Sequence, residues 1–154
     1  MTTTIHDRLK TLNIALPKAA APVANYLPFV ISGNLLFTSG QLPSKDGKLL
    51  ATGLLGRDLD VPRAQEAARQ CAINILSQAE AALGDLERIS RIVKITVFVA
   101  ATPDFVTPHL VANAASDLLV DVLGDKGRHA RAAVCAASLP LNAPVEIEAV
   151  IEFV

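Results

Sequence analysis

Residues 91–100, RIVKITVFVA, constrain the fold most. Their density of β-branched side chains suits a pleated strand and suits a helix poorly. Alternation sets Val93, Ile95, Val97 and Val99 on one face, with Lys94, Thr96 and Phe98 on the other. Ile92 and Ala100 fall with the second set. A strand this apolar on both faces requires cover on both faces.

Helical patterns flank this strand. Before it, a helix opens near Asp60, an N-cap residue with Pro62 in the first turn. Ala64, Ala68, Cys71, Ile75, Ala79 and Ala82 recur at three- and four-residue steps, and Gly84 closes the helix. After it, the pattern predicts a second helix over roughly residues 103–123, with Asn113, Ser116 and Asp117 among its apolar positions.

Nearer the start, residues 5–13 read as a short helix. Residues 15–28, with Pro17, Pro22 and Pro28, read as an extended lead-in. FVISGNLLFTSGQLP (29–43) reads as two strands joined at Ser32-Gly33-Asn34. Asp46-Gly47 marks another turn, followed by a short strand at LLATG. Two closing strands flank SLPLNAP (138–144). Strand runs mixed with two helices predict one α+β domain over residues 1–154, both helices on one sheet face.

The closing stretch HARAAVCAASLPLNAPVEIEAVIEFV raises the functional question. Arg131, Ala133 and Cys135 share one face of the first closing strand. Glu146, Glu148, Val150 and Glu152 share one face of the second. Val145, Ile147, Ala149, Ile151 and Phe153 oppose them and suit contact with the helices. This reading turns both polar sets away from the helices, onto a face too apolar for open water. Packing against other subunits is the expected cover.

Composition narrows the function classes. Of 154 residues, 51% are hydrophobic and 19% charged, and the net charge is −1. No Lys/Arg run could neutralise several phosphates, which argues against nucleic acid as a partner. No stretch reaches the roughly 18 apolar residues of a membrane span, so no membrane partner is expected. The N-terminus lacks an apolar signal core, and Cys71 and Cys135 form no disulfide framework. Together these predict a cytoplasmic protein. His6, His109 and His129 stand at no ligand spacing, so no metal is expected.

Three stretches, GNLLFTSGQLP (33–43), RIVKITVFVAATPDF (91–105) and HARAAVCAASLPLNAPVEIEA (129–149), resemble the RidA/YjgF family of reactive-intermediate deaminases, also called the endoribonuclease L-PSP family. The resemblance spans nearly the whole chain in the right order. VANYLPF, NAASDLL and GRHARAAV mark a divergent branch. The resemblance implies a chorismate-mutase-like α+β fold with a mixed sheet, and a homotrimer with sheets lining a central barrel. It implies hydrolysis of 2-imino and 2-enamine acids to 2-keto acids and ammonia, in clefts between subunits, without a cofactor. Carried over by motif, Arg131 pairs with the substrate carboxylate, and Glu146 and Tyr26 flank the attacking water. Ser39 and Asn113 match further pocket positions. Ala133 stands where the family often has a cysteine, and Ala24-Asn25-Tyr26-Leu27-Pro28 departs from the family's tyrosine motif, so the pocket floor is altered.

Chemistry leaves alternatives beside these roles. A guanidinium in an apolar strand is costly unless paired, and it suits a bidentate carboxylate. That carboxylate is a ligand's, or it belongs to Glu146 or Glu148 at a subunit interface. Glu146 either polarises a water or pairs with Lys94 or an arginine across strands. Three activities follow: an imine deaminase, a non-catalytic trimer that binds a small carboxylate, and an endoribonuclease acting on single-stranded RNA, against which the charge argues.

Overall fold

The computed structural model describes residues 2–154. A five-stranded sheet carries the chain. Its order is β1 (Phe29–Ser32), β2 (Leu35–Thr38), β7 (Val145–Phe153), β5 (Ile89–Ala100) and β6 (Ala130–Ala136). All neighbours are antiparallel except β5 and β6, so the sheet is mixed. A small hairpin, β3 (Ser44–Lys45) and β4 (Lys48–Leu49), turns through Asp46 and Gly47, both with positive φ. That turn stands where sequence placed one.

Helix α2 (Val61–Leu83) forms where its caps predict. The Asp60 carboxylate accepts from the Arg63 N–H, and Gly84 closes the helix with φ 77°. A left-handed residue there costs glycine little and other residues more. The stripe is fully buried from Ala64 to Ala79 and half-buried at Ala82, which lets α2 lie close to the sheet beneath Ile147 and Ile151. Helix α3 (Pro108–Leu123) packs beside it. It starts five residues later than the pattern suggests. Pro108 disfavours helical backbone at Thr107, and Thr102 and Asp104 bond each other in a turn before it. The short helix α1 (Ile5–Thr11) is capped by a reciprocal Thr4–Asp7 pair and packs against α3.

The register corrects one reading of β5. Ile92 pairs with Ile151 and Lys94 with Val150, so Val93 is an extra, bulged residue. Ile92 is buried on the helix side, while Val93 is exposed. Simple alternation reverses those two. Beyond the bulge, Ile95, Val97 and Val99 face the helices as expected.

The opposite face of the sheet has no helix over it among the described residues. Val30, Phe37 and Val134 are exposed there, beside Phe98, Thr96, Val150 and the glutamates of β7.

Candidate functional site

Arg131 lies on β6, the edge strand, directly opposite Ile95 of β5. Directly paired residues share a face, so Arg131 points to the helix side. Its Nη1 donates to Asn113 Oδ1 at 3.0 Å and to Ser116 Oγ at 3.1 Å, both on α3. Asn113 and Ser116 stand three residues apart, which puts them on one helical face.

A directional chain continues from there. Ser116 Oγ is 2.9 Å from His129 Nε2, and His129 Nδ1 is 2.6 Å from the Gly127 carbonyl. A carbonyl only accepts, so Nδ1 carries the proton. Nε2 of the neutral ring then accepts the Ser116 hydroxyl, whose oxygen accepts from Arg131. Burial holds His129 below its ordinary pKa, and the nearby Arg131 charge adds to this. The neutral ring is the form this chain requires.

The two anchors use both protons of Nη1. The Nε and Nη2 edge of the guanidinium makes no hydrogen bond and no ion pair among the described residues. Two parallel N–H groups on that edge match the geometry of a carboxylate. Arg131 itself is exposed.

Glu146 lies elsewhere. On β7 it pairs with Phe98, on the uncovered sheet face. Arg131 and Glu146 therefore occupy opposite faces, with β5 between their strands. This corrects the expectation that the two closing strands turn their polar residues to one face. Alternation fixes faces within a strand, and one residue of register between strands inverts the relation. The protomer accordingly contains no Arg131–Glu146 or Arg131–Glu148 ion pair, and Glu146 has no ion pair with Lys94.

The surroundings of Glu146 are built by a bulge. β2 pairs Phe37 with Val150, and the chain then rejoins β7 at Gln41 opposite Ile147. Four steps on one side match three on the other, and Thr38 Oγ1 accepts the Ala149 N–H across the gap. Such bulges re-aim the chain beside sites. This one brings Gly40 against Glu146. A Cβ at position 40 would overlap Glu146 Oε1, so only glycine lets the carboxylate lie there. Burial raises the Glu146 pKa, with the Glu148 charge adding to it. The Ser39 hydroxyl donates to the Leu27 carbonyl at 2.6 Å, and Tyr26 stands half-exposed on a cavity that Ser39 and Gly40 also line.

Of the residues singled out by sequence, Arg131 and Asn113 meet at one place, Tyr26 and Ser39 share a cavity, and Glu146 touches Gly40 of that cavity's wall. Ala133 shares the Arg131 face and packs against the core. Cys135 is exposed, with Sγ near the Phe105 carbonyl. It sits at the sheet edge, beyond the cover of α3. Ser116, His129 and Gly40 join the site without a role from sequence. The spacing of Asn113 to Ser116 and of His129 to Arg131 were the available signals. No three His, Cys, Asp or Glu side chains among the described residues group to hold a metal. No helix among them is long and apolar enough to cross a membrane.

The fold and these residues define a small α+β protein with a free guanidinium edge on one sheet face and a carboxyl of raised pKa on the other. Residues 6–152 match the YjgF/chorismate mutase-like endoribonuclease family, and the chain belongs to that family. It is 58% identical to Atu1372 of Agrobacterium tumefaciens, a protein of unknown function, with a TM-score of 0.92 over 97% of this chain and 92% of that one. It is 51% identical over 145 residues to Protein TCP17 of Trypanosoma cruzi, covering 94% of this chain and 91% of that protein. More distantly, E. coli TdcF, solved with bound serine, is 26% identical, with a TM-score of 0.66 over 89% of this chain and 94% of TdcF.

Proposed function

We propose that the protein hydrolyses 2-imino acids, and the 2-enamine acids in equilibrium with them, to 2-keto acids and ammonia, in clefts between the subunits of a homotrimer. The carrying observation is the unpartnered Nε/Nη2 edge of Arg131, held in place through Nη1 alone. It binds the substrate carboxylate. The serine in TdcF supports a carboxylate-bearing, amino-acid-sized ligand for this family.

The reaction adds water across C=N. Water attacks the imine carbon and gives a carbinolamine, which loses ammonia as the carbonyl forms. Both protons of the water end on the departing nitrogen, one as the water attacks and the second as the carbinolamine hydroxyl becomes the carbonyl. Glu146, with its raised pKa, takes each from oxygen and returns it to nitrogen, a contribution of about 10²–10⁴-fold. Tyr26, on the cavity that Gly40 also lines, orients the water. Arg131 and Glu146 are on opposite faces of one sheet, so a complete site takes Arg131 from one subunit and Glu146 from another. The exposed Val30, Phe37 and Val134 face supplies the apolar surface for that assembly.

The test is ammonia and keto-acid release from imines generated in situ by an amino-acid oxidase. Wild type accelerates release, and Arg131→Ala and Glu146→Gln lose the acceleration. Carboxylate binding without acceleration by a well-folded wild type would replace this reading with the carboxylate-binding trimer.

A further inference from the structure

Residues 15–27 of the lead-in form no helix or strand, and none of them is buried. Val23 is fully exposed, and Leu27 keeps 65% of its surface. Three cavities, of about 430, 150 and 290 Å³, adjoin this segment in turn from Leu16 to Tyr26, with α2 in the wall of each. The segment thus lies against α2 without packing closely onto it.

Among the described residues, a single hydrogen bond joins residues 15–26 to the rest of the fold. Gln78 Nε2, on α2, donates to the Ala20 carbonyl at 3.0 Å. Gln78 is 1% exposed, and the helix fixes its place. Burying an amide costs desolvation that leucine would not incur, and the bond to Ala20 offsets it. At the far end the Ser39 hydroxyl donates to the Leu27 carbonyl at 2.6 Å. These two ties meet. Gln78 Nε2 also lies 3.5 Å from Gln41 Oε1, and Gln41 Nε2 donates to the Ser39 carbonyl at 3.1 Å. Gln78, Gln41 and Ser39 therefore join both ends of the segment to the bulge whose Gly40 touches Glu146. Tyr26 lies between the ties.

We propose that residues 15–27 are a lid over the 290 Å³ cavity, latched by Gln78 on the Ala20 carbonyl, and that it closes Tyr26 onto bound substrate. A segment with so few ties and no buried residue opens far more readily than the sheet or the helices. Substrate closes it by binding the closed state better, and contact with Tyr26 supplies that difference. Opening admits the imine and releases the keto acid. The substrate's part rests on the imine-hydrolase reading, and the latch does not.

Limited trypsin digestion reads the latch. Lys18 is exposed within the segment, and cleavage after it leaves a fragment of residues 19–154. Cutting of a segment that opens and closes rapidly tracks its open population. Losing one hydrogen bond raises that population, so Gln78→Leu is cut at Lys18 about fivefold faster than wild type. A melting curve checks its folding. Gln78→Met, which keeps the side-chain length without the donor, takes its place if the leucine variant unfolds. Equal cutting of wild type and the folded variant overturns the latch. Serine, whose dissociation constant calorimetry measures, reads the closure. At ten times that constant, serine slows the cutting of wild type about tenfold. Serine that binds without slowing the cutting overturns the lid. Failure of serine to bind, with the Gln78 variant still cut faster, keeps the latched lid and removes the carboxylate reading of Arg131.

Discussion

Arg131 depends on neighbours that do no chemistry themselves. Ser116 accepts from its Nη1 and passes its own proton to His129, whose ring is fixed by the Gly127 carbonyl. Removing the hydroxyl leaves Asn113 as the single anchor. Ser116→Ala therefore raises KM for an imino acid about 5–20-fold and changes kcat less, whereas Arg131→Ala lowers kcat/KM at least about 100-fold. Steady-state kinetics on one imine series separates the two. Glu146 makes the opposite trade. Burial raises its pKa above the unfolded value, so the folded state holds the proton more tightly. Stability from this group is complete below the unfolded pKa and is lost as pH rises through the folded one. At pH 7 the ionised carboxylate destabilises the fold. Glu146→Gln thus melts about 1–3 °C higher at pH 7 and with wild type at pH 4, while losing activity. A lower melting temperature at pH 7 would show that the carboxylate has a stabilising partner.

Elements differ in how far sequence reveals them. The bounds of α2 were legible because its determinants are local: an Asp60 cap, a three- and four-residue stripe, a closing glycine. Asp60→Ala tests that locality. It costs about 1 kcal/mol of cap energy, so melting falls by about 2–4 °C with kcat/KM intact. The site's residues were legible as motifs, and their arrangement was not. The face of Arg131 depends on which residue of β5 it meets, and Val93 is displaced by a bulge that no alternation rule anticipates. The second bulge, at Ser39 and Gly40, is what brings Glu146 into place, and its cause lies in pairing with a strand more than a hundred residues later. Gly40→Ala tests that element directly. Its backbone is not left-handed, so the added methyl displaces only the flexible Glu146 carboxylate. Activity falls about tenfold and melting changes little. A large drop in melting temperature would mean that the bulge itself, rather than the carboxylate, had yielded.

For the whole molecule, the opposite-face placement of Arg131 and Glu146 makes assembly part of the proposed chemistry. On the proposed reading, a protomer with a free guanidinium edge on one side and a raised carboxyl on the other holds half of each cleft, however well it folds. The uncovered face with Val30, Phe37 and Val134 provides surface for association, and closed rotational symmetry turns each contact into an equivalent cleft. The arrangement permits a test that no single variant offers. Arg131→Ala subunits retain Glu146, and Glu146→Gln subunits retain Arg131. Each variant alone has no intact cleft. Unfolded together in equal amounts and refolded into mixed trimers, they place both native residues at about one cleft in four, since each residue is supplied independently with a chance of one half. Mixed protein therefore recovers about a quarter of wild-type activity per cleft, at the trimer mass by light scattering. No recovery from mixed trimers would mean that both residues serve one cleft from the same subunit, which the sheet between them forbids without rearrangement, or that one of them lies outside the site.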